Sequence, residues 1–386
     1  MLKMSPCFQS NAAVFNSKCK KGNLLIVKNV DKAAMQLKLT SKERLVLYGL
    51  ARYPGLSDID LAVKIGVDRS TIFKSKRKFR EWEMVQLLNV PTGMGVGAEM
   101  MTAVFAAYKP NATAEVRGNV PGLKEWVDHP HCVFHSATDT DSVSMIYSKS
   151  FTDFKRIFHP VIDDYRDAGV VEEIRCHHYP FALTRVSWDS ALAVDNTFNL
   201  GRTDLQEEPP IEEVFTDSVK LTEKDKLALH AFVKHPTLSD LELSRRTGIS
   251  RPTISGKRNK FFESGLLSRQ ANVNWNKIGC ELMIFYQINV RPKATSEDMM
   301  EVYSSFRRIG AAVYSYIQPG EIFGSFLSQC YVEMKERMDQ EVKGLSEAGL
   351  ITQRPSYVIM PLRDLKERKI DYAPMVKSML EVETDL

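Results

Sequence analysis

Over residues 69–80 the chain places six basic side chains, Arg69, Lys74, Lys76, Arg77, Lys78 and Arg80, with no acid among them. Guanidinium and ammonium groups at that density neutralise nucleic-acid phosphates, and at helical spacing some of them reach base edges. On a helical wheel Ile72 and Phe79 share one face, Ser70, Lys74 and Arg77 fall opposite, and Thr71 and Lys78 lie beside them. Arg69 opens the run and is a further candidate DNA contact. The bland account of such a run is a solvated face. A second stretch, 251–260, has a related pattern. There Arg251, Thr253, Ser255, Lys257, Asn259 and Lys260 are the candidate DNA contacts. Its outward face is Pro252, Gly256 and Asn259, with Arg251, Lys257, Arg258 and Lys260 to the sides. Pro252 is tolerable in a first helical turn, and Gly256 costs about 0.8–1 kcal/mol of helix propensity relative to Ala. The two stretches are therefore not expected to read the same bases.

A second group of residues has metal-ligating types. His129, His131, Cys132 and His135 cluster in sequence, as do Cys176, His177 and His178. Imidazole and thiolate together suit zinc or haem iron. The six cysteines, Cys7, Cys19, Cys132, Cys176, Cys280 and Cys330, contain no CxxC pair. That argues against a disulfide framework and against a standard structural zinc site, so no metal or cofactor is assigned.

The elements that must position the basic runs come from an internal repeat. LTSKERLVL at Leu39 recurs as LTEKDKLAL at Leu221, an offset of 221 − 39 = 182. The same offset carries Pro54 and Asp58 onto Pro236 and Asp240, Gly66 onto Gly248, and Arg69 onto Arg251. The unit, about 145 residues long, exceeds any solenoid repeat. Each copy opens with three short helices. Thr40 with Glu43, and Thr222 with Asp225, cap the first. Ser57 with Asp60, and Ser239 with Glu242, cap the second, which stops at Gly66 or Gly248. Asp68 or Ser250 caps the third, which carries the basic run. Two helices joined by a tight Gly turn make a helix-turn-helix, and 84–88 and 265–267 follow as wing strands.

After each such module comes an alternation of strands and helices. In the first copy the segments are 100–108, 116–127, 132–137, 143–148, 151–168 and 171–177. In the second they are 282–290, 297–309, 312–317, 323–328, 332–348 and 351–359. The order β-α-β-β-α-β is the ferredoxin-like pattern. In such a sheet the second and fourth strands are opposite edges, which separates the two His/Cys groups. The expected class is α+β, two winged helix-turn-helix domains alternating with two ferredoxin-like domains. The expected boundaries are an N-terminal arm at 1–38, helix-turn-helix modules at 39–92 and 221–274, ferredoxin-like modules at 97–182 and 279–362, a linker at 183–220 containing Glu207 to Pro210, and a C-terminal tail at 363–386.

Bulk properties limit the function. The chain has 386 residues, 52 basic against 48 acidic, so any affinity for nucleic acid must be local. No apolar run approaches a membrane span and the start lacks a signal-peptide core, so a cytoplasmic protein without membrane contact is expected.

LTEKDKLALHAFVKHPTLSDLELSRRTGISRPTISGKRNKFFESGLL, followed by NWNKIGCELMIFYQINV, resembles the Lrp/AsnC (feast/famine) regulators. The resemblance implies a tandem-duplicated, sequence-specific regulator of double-stranded DNA whose α+β domains pair and hold a small-molecule effector. The effector segment implied is the one around Gly320 and Glu321; the first copy has Thr138 to Asp141 there, without glycine. The family keeps an aliphatic residue where this chain has Lys76 and Arg258. Two α+β domains in one chain imply an intrachain pseudo-dimer, with a homodimer as the rival arrangement. The chain is expected not to be an enzyme, because a catalyst needs no basic recognition helix. The alternatives are a tetrapyrrole-processing enzyme similar to sirohaem decarboxylase, with His135 and Arg175 lining its pocket, or a metal- or haem-sensing regulator.

Overall fold

The computed structural model describes residues 38–202, 220–384 and 386; most of the N-terminal arm and the Glu207–Pro210 stretch lie outside the described residues. The first half runs α1 (Ser41–Arg52), α2 (Asp58–Ile65), α3 (Arg69–Glu81), β1 (Val85–Pro91), β2 (Met100–Tyr108), α4 (Ala114–Gly118), α5 (Pro121–Asp128), β3 (Cys132–Ala137), β4 (Asp141–Ser148), α6 (Phe151–Asp167), β5 (Val171–Pro180), β6 (Arg185–Trp188) and α7 (Ser190–Phe198). The second half runs α8 (Glu223–Lys234), α9 (Asp240–Thr247), α10 (Arg251–Glu263), β7 (Leu267–Val273), β8 (Leu282–Asn289), α11 (Ser296–Ile309), β9 (Ala311–Gln318), β10 (Glu321–Ser328), α12 (Tyr331–Glu347), β11 (Ser356–Pro361), β12 (Glu367–Ile370) and α13 (Ala373–Met379). The class is α+β, as expected. The helix expected at 116–127 is broken into α4 and α5, because Pro121 starts a new helix in its first turn.

Local signals account for the helix-turn-helix units. Thr40 and Glu43 form a reciprocal capping box on α1, as do Thr222 and Asp225 on α8. Gly66 and Gly248 follow α2 and α9 at φ +70° and +71°, a region that favours glycine and turns the chain into the next helix. Val46, Leu47, Leu61, Ile65, Ile72 and Phe79 close the first core; Ala228, Leu229, Phe232, Leu243, Ile254 and Phe261 close the second.

The strands expected as wings pair with each other. β1 and β7 form a two-stranded antiparallel sheet in which Leu88 faces Gln270. Those two residues are themselves 270 − 88 = 182 positions apart, so a local two-fold axis passes between them. Arg269 donates to Asn89 (3.1 Å) and to the Pro236 carbonyl (3.0 Å), and Asn89 donates to the Phe232 carbonyl (2.8 Å). The ribbon is thus tied to the second helix-turn-helix.

The remaining strands build two five-stranded sheets, in the orders β12-β3-β4-β2-β5 and β11-β8-β10-β9-β6. β6 follows the first half yet pairs with β9 of the second, Ser187 facing Ser315. β12 follows the second half yet pairs with β3 of the first, Lys369 facing His135. Each half therefore completes the other's sheet, covering an edge that would otherwise be open. The segments expected as a linker and a tail contain these strands, and α7 and α13 then pack on α1 and α8. The reason lies in composition: Ala191, Ala193 and Val194 on α7, and Met375, Val376 and Met379 on α13, are buried in the shared core. The two sheets face each other through Phe105, Phe134, Met145, Tyr147, Phe285, Tyr314, Tyr316 and Phe323. Phe134 meets Phe285 edge-on at 5.8 Å between ring centres, and the Tyr147 and Tyr316 hydroxyls lie 3.2 Å apart. Helices α4–α6 cover the outer face of one sheet, and α11 and α12 that of the other. The two halves thus pack against each other and share strands within one chain.

Candidate nucleic-acid interface and the polar cluster between the sheets

α3 presents its basic run as a stripe. Ile72, Ser75 and Phe79 are buried, and Arg69, Ser70, Phe73, Lys74, Arg77 and Arg80 are exposed. Arg69, Lys74 and Arg80 have no ion-pair partner among the described residues. Arg77 pairs with Glu81 at 3.0 Å, both well exposed, a contact that costs little to exchange for another anion. Ser70 and Thr71 have a local task as well. Both hydroxyls donate to the Asp68 carboxylate, at 2.7 and 2.8 Å, and that carboxylate caps the helix by accepting from the Thr71 backbone N–H (2.9 Å). The hydrogen bonds from Ser70 and Thr71 hold that carboxyl well below its ordinary range, so it is ionised beside the helix start.

The remaining cations of α3 are committed inside the protein. Lys78 is bound to Glu43 of α1 and lies 4.3 Å over the Trp82 ring. Lys76 pairs with Asp58 at the start of α2. Arg258, its counterpart in α10, pairs at 2.7 Å with Asp240, the counterpart of Asp58, and stacks 4.6 Å over Phe232. Basic residues at this position therefore serve as structural clamps between helices.

α10 is unlike α3. Arg251, Thr253, Asn259 and Lys260 are exposed, Ser255 is half-buried, and Lys257 is paired with Asp225. Its most outward positions, Pro252, Gly256 and Asn259, carry no charge.

Gly320 and Glu321 sit where β9 turns into β10. Gly320, at φ +82°, is the third residue of the tight turn from β9 to β10. Glu321 points into the layer between the halves. Its Oε1 accepts from His177 Nδ1 (2.8 Å), Tyr179 Oη (3.0 Å) and Gln287 Nε2 (2.9 Å), and its Oε2 accepts from Gln318 Nε2 (3.0 Å). Burial would raise the Glu321 carboxyl; the hydrogen bond and charge of His177, with Tyr179 and Gln318, outweigh that and hold it below its ordinary range. Burial, with the negative Glu321 beside it, pushes the Tyr179 hydroxyl well above its usual range. His177 Nε2 is buried without a hydrogen-bond partner among the described residues.

The His/Cys groups stay apart. β3 and β5 are separated by β4 and β2, and β12 covers β3, which is therefore not an edge strand. Among the described residues no three His, Cys, Asp or Glu side chains are grouped as a metal ion requires. Burial pushes the Cys132 and Cys176 thiols up to about 11, the reverse of what a thiolate ligand needs. Burial, then the neighbouring His131, lowers His129 to about 4. His135 and Arg175, named for a tetrapyrrole pocket, do not converge. His135 is fully buried on the helix-covered side, bonded to Ser144 (2.8 Å) and 3.2 Å from Glu367. Arg175 faces the other way, with its guanidinium 5.8 Å from the Phe105 ring centre in the intersheet layer.

No protein-family model matches the chain, and no curated protein matches it. Solved structures are similar to it in fold. The structure of the siroheme decarboxylase NirDL covers 88% of this chain and 98% of its own, at 12% identity and TM-score 0.49. Escherichia coli AsnC covers 37% of this chain and 93% of its own, at 16% identity and TM-score 0.30. An AsnC family transcriptional regulator from Agrobacterium tumefaciens covers 36% and 89%, at 14% identity and TM-score 0.29. The expectation that the chain is not an enzyme is withdrawn: against it stand the structures of a siroheme decarboxylase, similar in fold over most of the chain. No helix among the described residues is long and apolar enough to cross a membrane.

Proposed function

We propose that the chain binds duplex DNA through α3 and acts as a transcription regulator, with the second half supplying mainly phosphate contacts. The observation that carries this reading is the stripe of Arg69, Lys74, Arg77 and Arg80, exposed on the third helix of a helix-turn-helix with no acid between them. Such a helix enters the major groove, where Arg and Lys take phosphate oxygens and guanine edges. Two such units joined by the β1–β7 ribbon suit half-sites related by a pseudo-two-fold axis, not identical in sequence. The test is a gel-shift titration of Lys74→Ala with Arg77→Ala alongside circular dichroism. Loss of specific binding in a folded double variant is expected; unchanged affinity overturns the reading.

A second reading is favoured by the Glu321 cluster. His177, Tyr179 and Glu321 place acid–base groups from both halves in one layer built mainly of apolar and aromatic side chains. That arrangement suits a small-molecule effector, or the processing of a tetrapyrrole substrate. Titrating the purified chain with an iron tetrapyrrole and following its absorbance tests this reading. Saturable binding that disappears in His177→Ala supports it, and a spectrum that never departs from the free compound sinks it.

A further inference from the structure

Phe73 has no task inside the fold. It sits in the second turn of α3, 63% exposed, with no ring or cation contact among the described residues. A single exposed apolar side chain is ordinary by itself. Its position is not. One helical turn separates it from Arg69 on one side and Arg77 on the other, and Lys74 adjoins it. It lies inside the stripe that Arg69, Ser70, Lys74 and Arg77 define, as near to the outward pole of the helix as Lys74. The residue 73 + 182 = 255 in α10 is Ser255, half-buried, so the second half has no apolar side chain there.

Resting on the DNA reading proposed above, we infer that Phe73 is a specificity residue that packs on the 5-methyl group of thymine in the major groove. Of the groups that base pairs present there, the thymine methyl is the apolar one, and phenylalanine is a side chain that contacts it. The cations around Phe73 hold the helix against the phosphates on both walls of the groove, which leaves the ring directed at the base edges between them. An apolar reader flanked by cations selects thymine at one position while the cations set affinity.

The experiment uses the full chain. Duplex fragments retained by the protein are sequenced, and the tightest is resynthesised with each thymine replaced in turn by deoxyuridine, which lacks only the methyl. Binding is measured by fluorescence anisotropy for the wild type, Phe73→Ala and Phe73→Leu. The wild type should bind about four-fold more weakly when the contacted methyl is removed, the effect of deleting one buried methyl-sized group. Phe73→Ala should bind both duplexes equally, and Phe73→Leu should keep most of the preference. If Phe73→Ala fails to fold by circular dichroism, Phe73→Ser, which carries the side chain found at the matching position 255 of α10, takes its place and should likewise bind both duplexes equally. Equal wild-type affinity for every deoxyuridine duplex overturns the Phe73 assignment and leaves DNA binding standing, as does a thymine preference undiminished in Phe73→Ala. A wild-type chain that binds no duplex overturns both.

Discussion

His177 of the first half and Glu321 of the second are joined across the layer between the sheets, with Nδ1 2.8 Å from Oε1. Tyr179, Gln287 and Gln318 donate to the same carboxylate. Glu321→Ala leaves these donors facing an apolar layer, and the expected cost is about 2–4 kcal/mol of stability in denaturant titration. Glu321→Gln should cost less, because it keeps the shape and one acceptor. The carboxyl is held below its ordinary value of 4.5 in the folded chain. A depressed folded pKa gives stability that is complete above the unfolded value and is lost as pH falls through the folded one. Thermal melts should therefore show wild-type stability falling more steeply below pH 4.5 than that of Glu321→Gln. Parallel pH profiles would remove the carboxylate from the account.

Lys74 and Lys76 differ by two positions and by everything that surrounds them. Lys74 is exposed, while Lys76 is paired with Asp58. Removing one cation that neutralises a phosphate should flatten the dependence of log K on log salt by about 0.9. Lys74→Ala is expected to do this and leave stability unchanged. Lys76→Ala and Arg258→Ala are expected to leave the slope intact and lower stability, by about 0.5–1 kcal/mol for a largely buried pair at the protein surface. A salt series of binding curves checks the first effect and urea unfolding the second.

The halves should contribute unequally to recognition. α3 directs Ser70, Phe73, Lys74 and Arg77 outward, whereas α10 directs Pro252, Gly256 and Asn259. A bidentate contact to one base discriminates by about 1–3 kcal/mol. Neutralising the exposed cations of α3 should abolish the specific footprint. Neutralising Arg251 and Lys260 should weaken all sequences alike. Equal loss of specificity from both variants would contradict the asymmetry.

The helix-turn-helix units were legible because their signals are local. Caps at Thr40, Ser57 and Asp68 and the glycines at Gly66 and Gly248 each act within one turn. Phe73 was not, because a lone phenylalanine on a helix reads as core until its exposure is known. The commitments of Lys76 and Lys78 were hidden for a related reason: Asp58 and Glu43 lie on other helices, 18 and 35 positions away. The Glu321 cluster draws on β5, β8, β9 and β10 from both halves, a long-range convergence that no spacing records. β6 and β12 read as a linker and a tail because each is four residues long and pairs only with the opposite half.

The exchange of those two strands determines how firmly the halves hold together. β6 closes the second sheet beside β9, β12 closes the first beside β3, and the helices after them, α7 and α13, pack on α1 and α8. Neither half is complete without a segment of the other. The halves can also be produced as two co-expressed pieces, 1–210 and 211–386. The two pieces are then held by the facing sheets, the β1–β7 ribbon and the two exchanged strands, and should elute together at the mass of one chain. They should separate only in denaturant. The same contacts satisfy the sheet faces within a single chain, so light scattering of the full chain should give a monomer. Removing 366–386 deletes β12 and α13, bares the β3 edge and uncovers apolar surface on α8. That variant is expected to aggregate or to pair with a second copy. Pieces that part without denaturant, or a truncated chain that stays monomeric with unchanged stability, would show that the exchange does not hold the halves together.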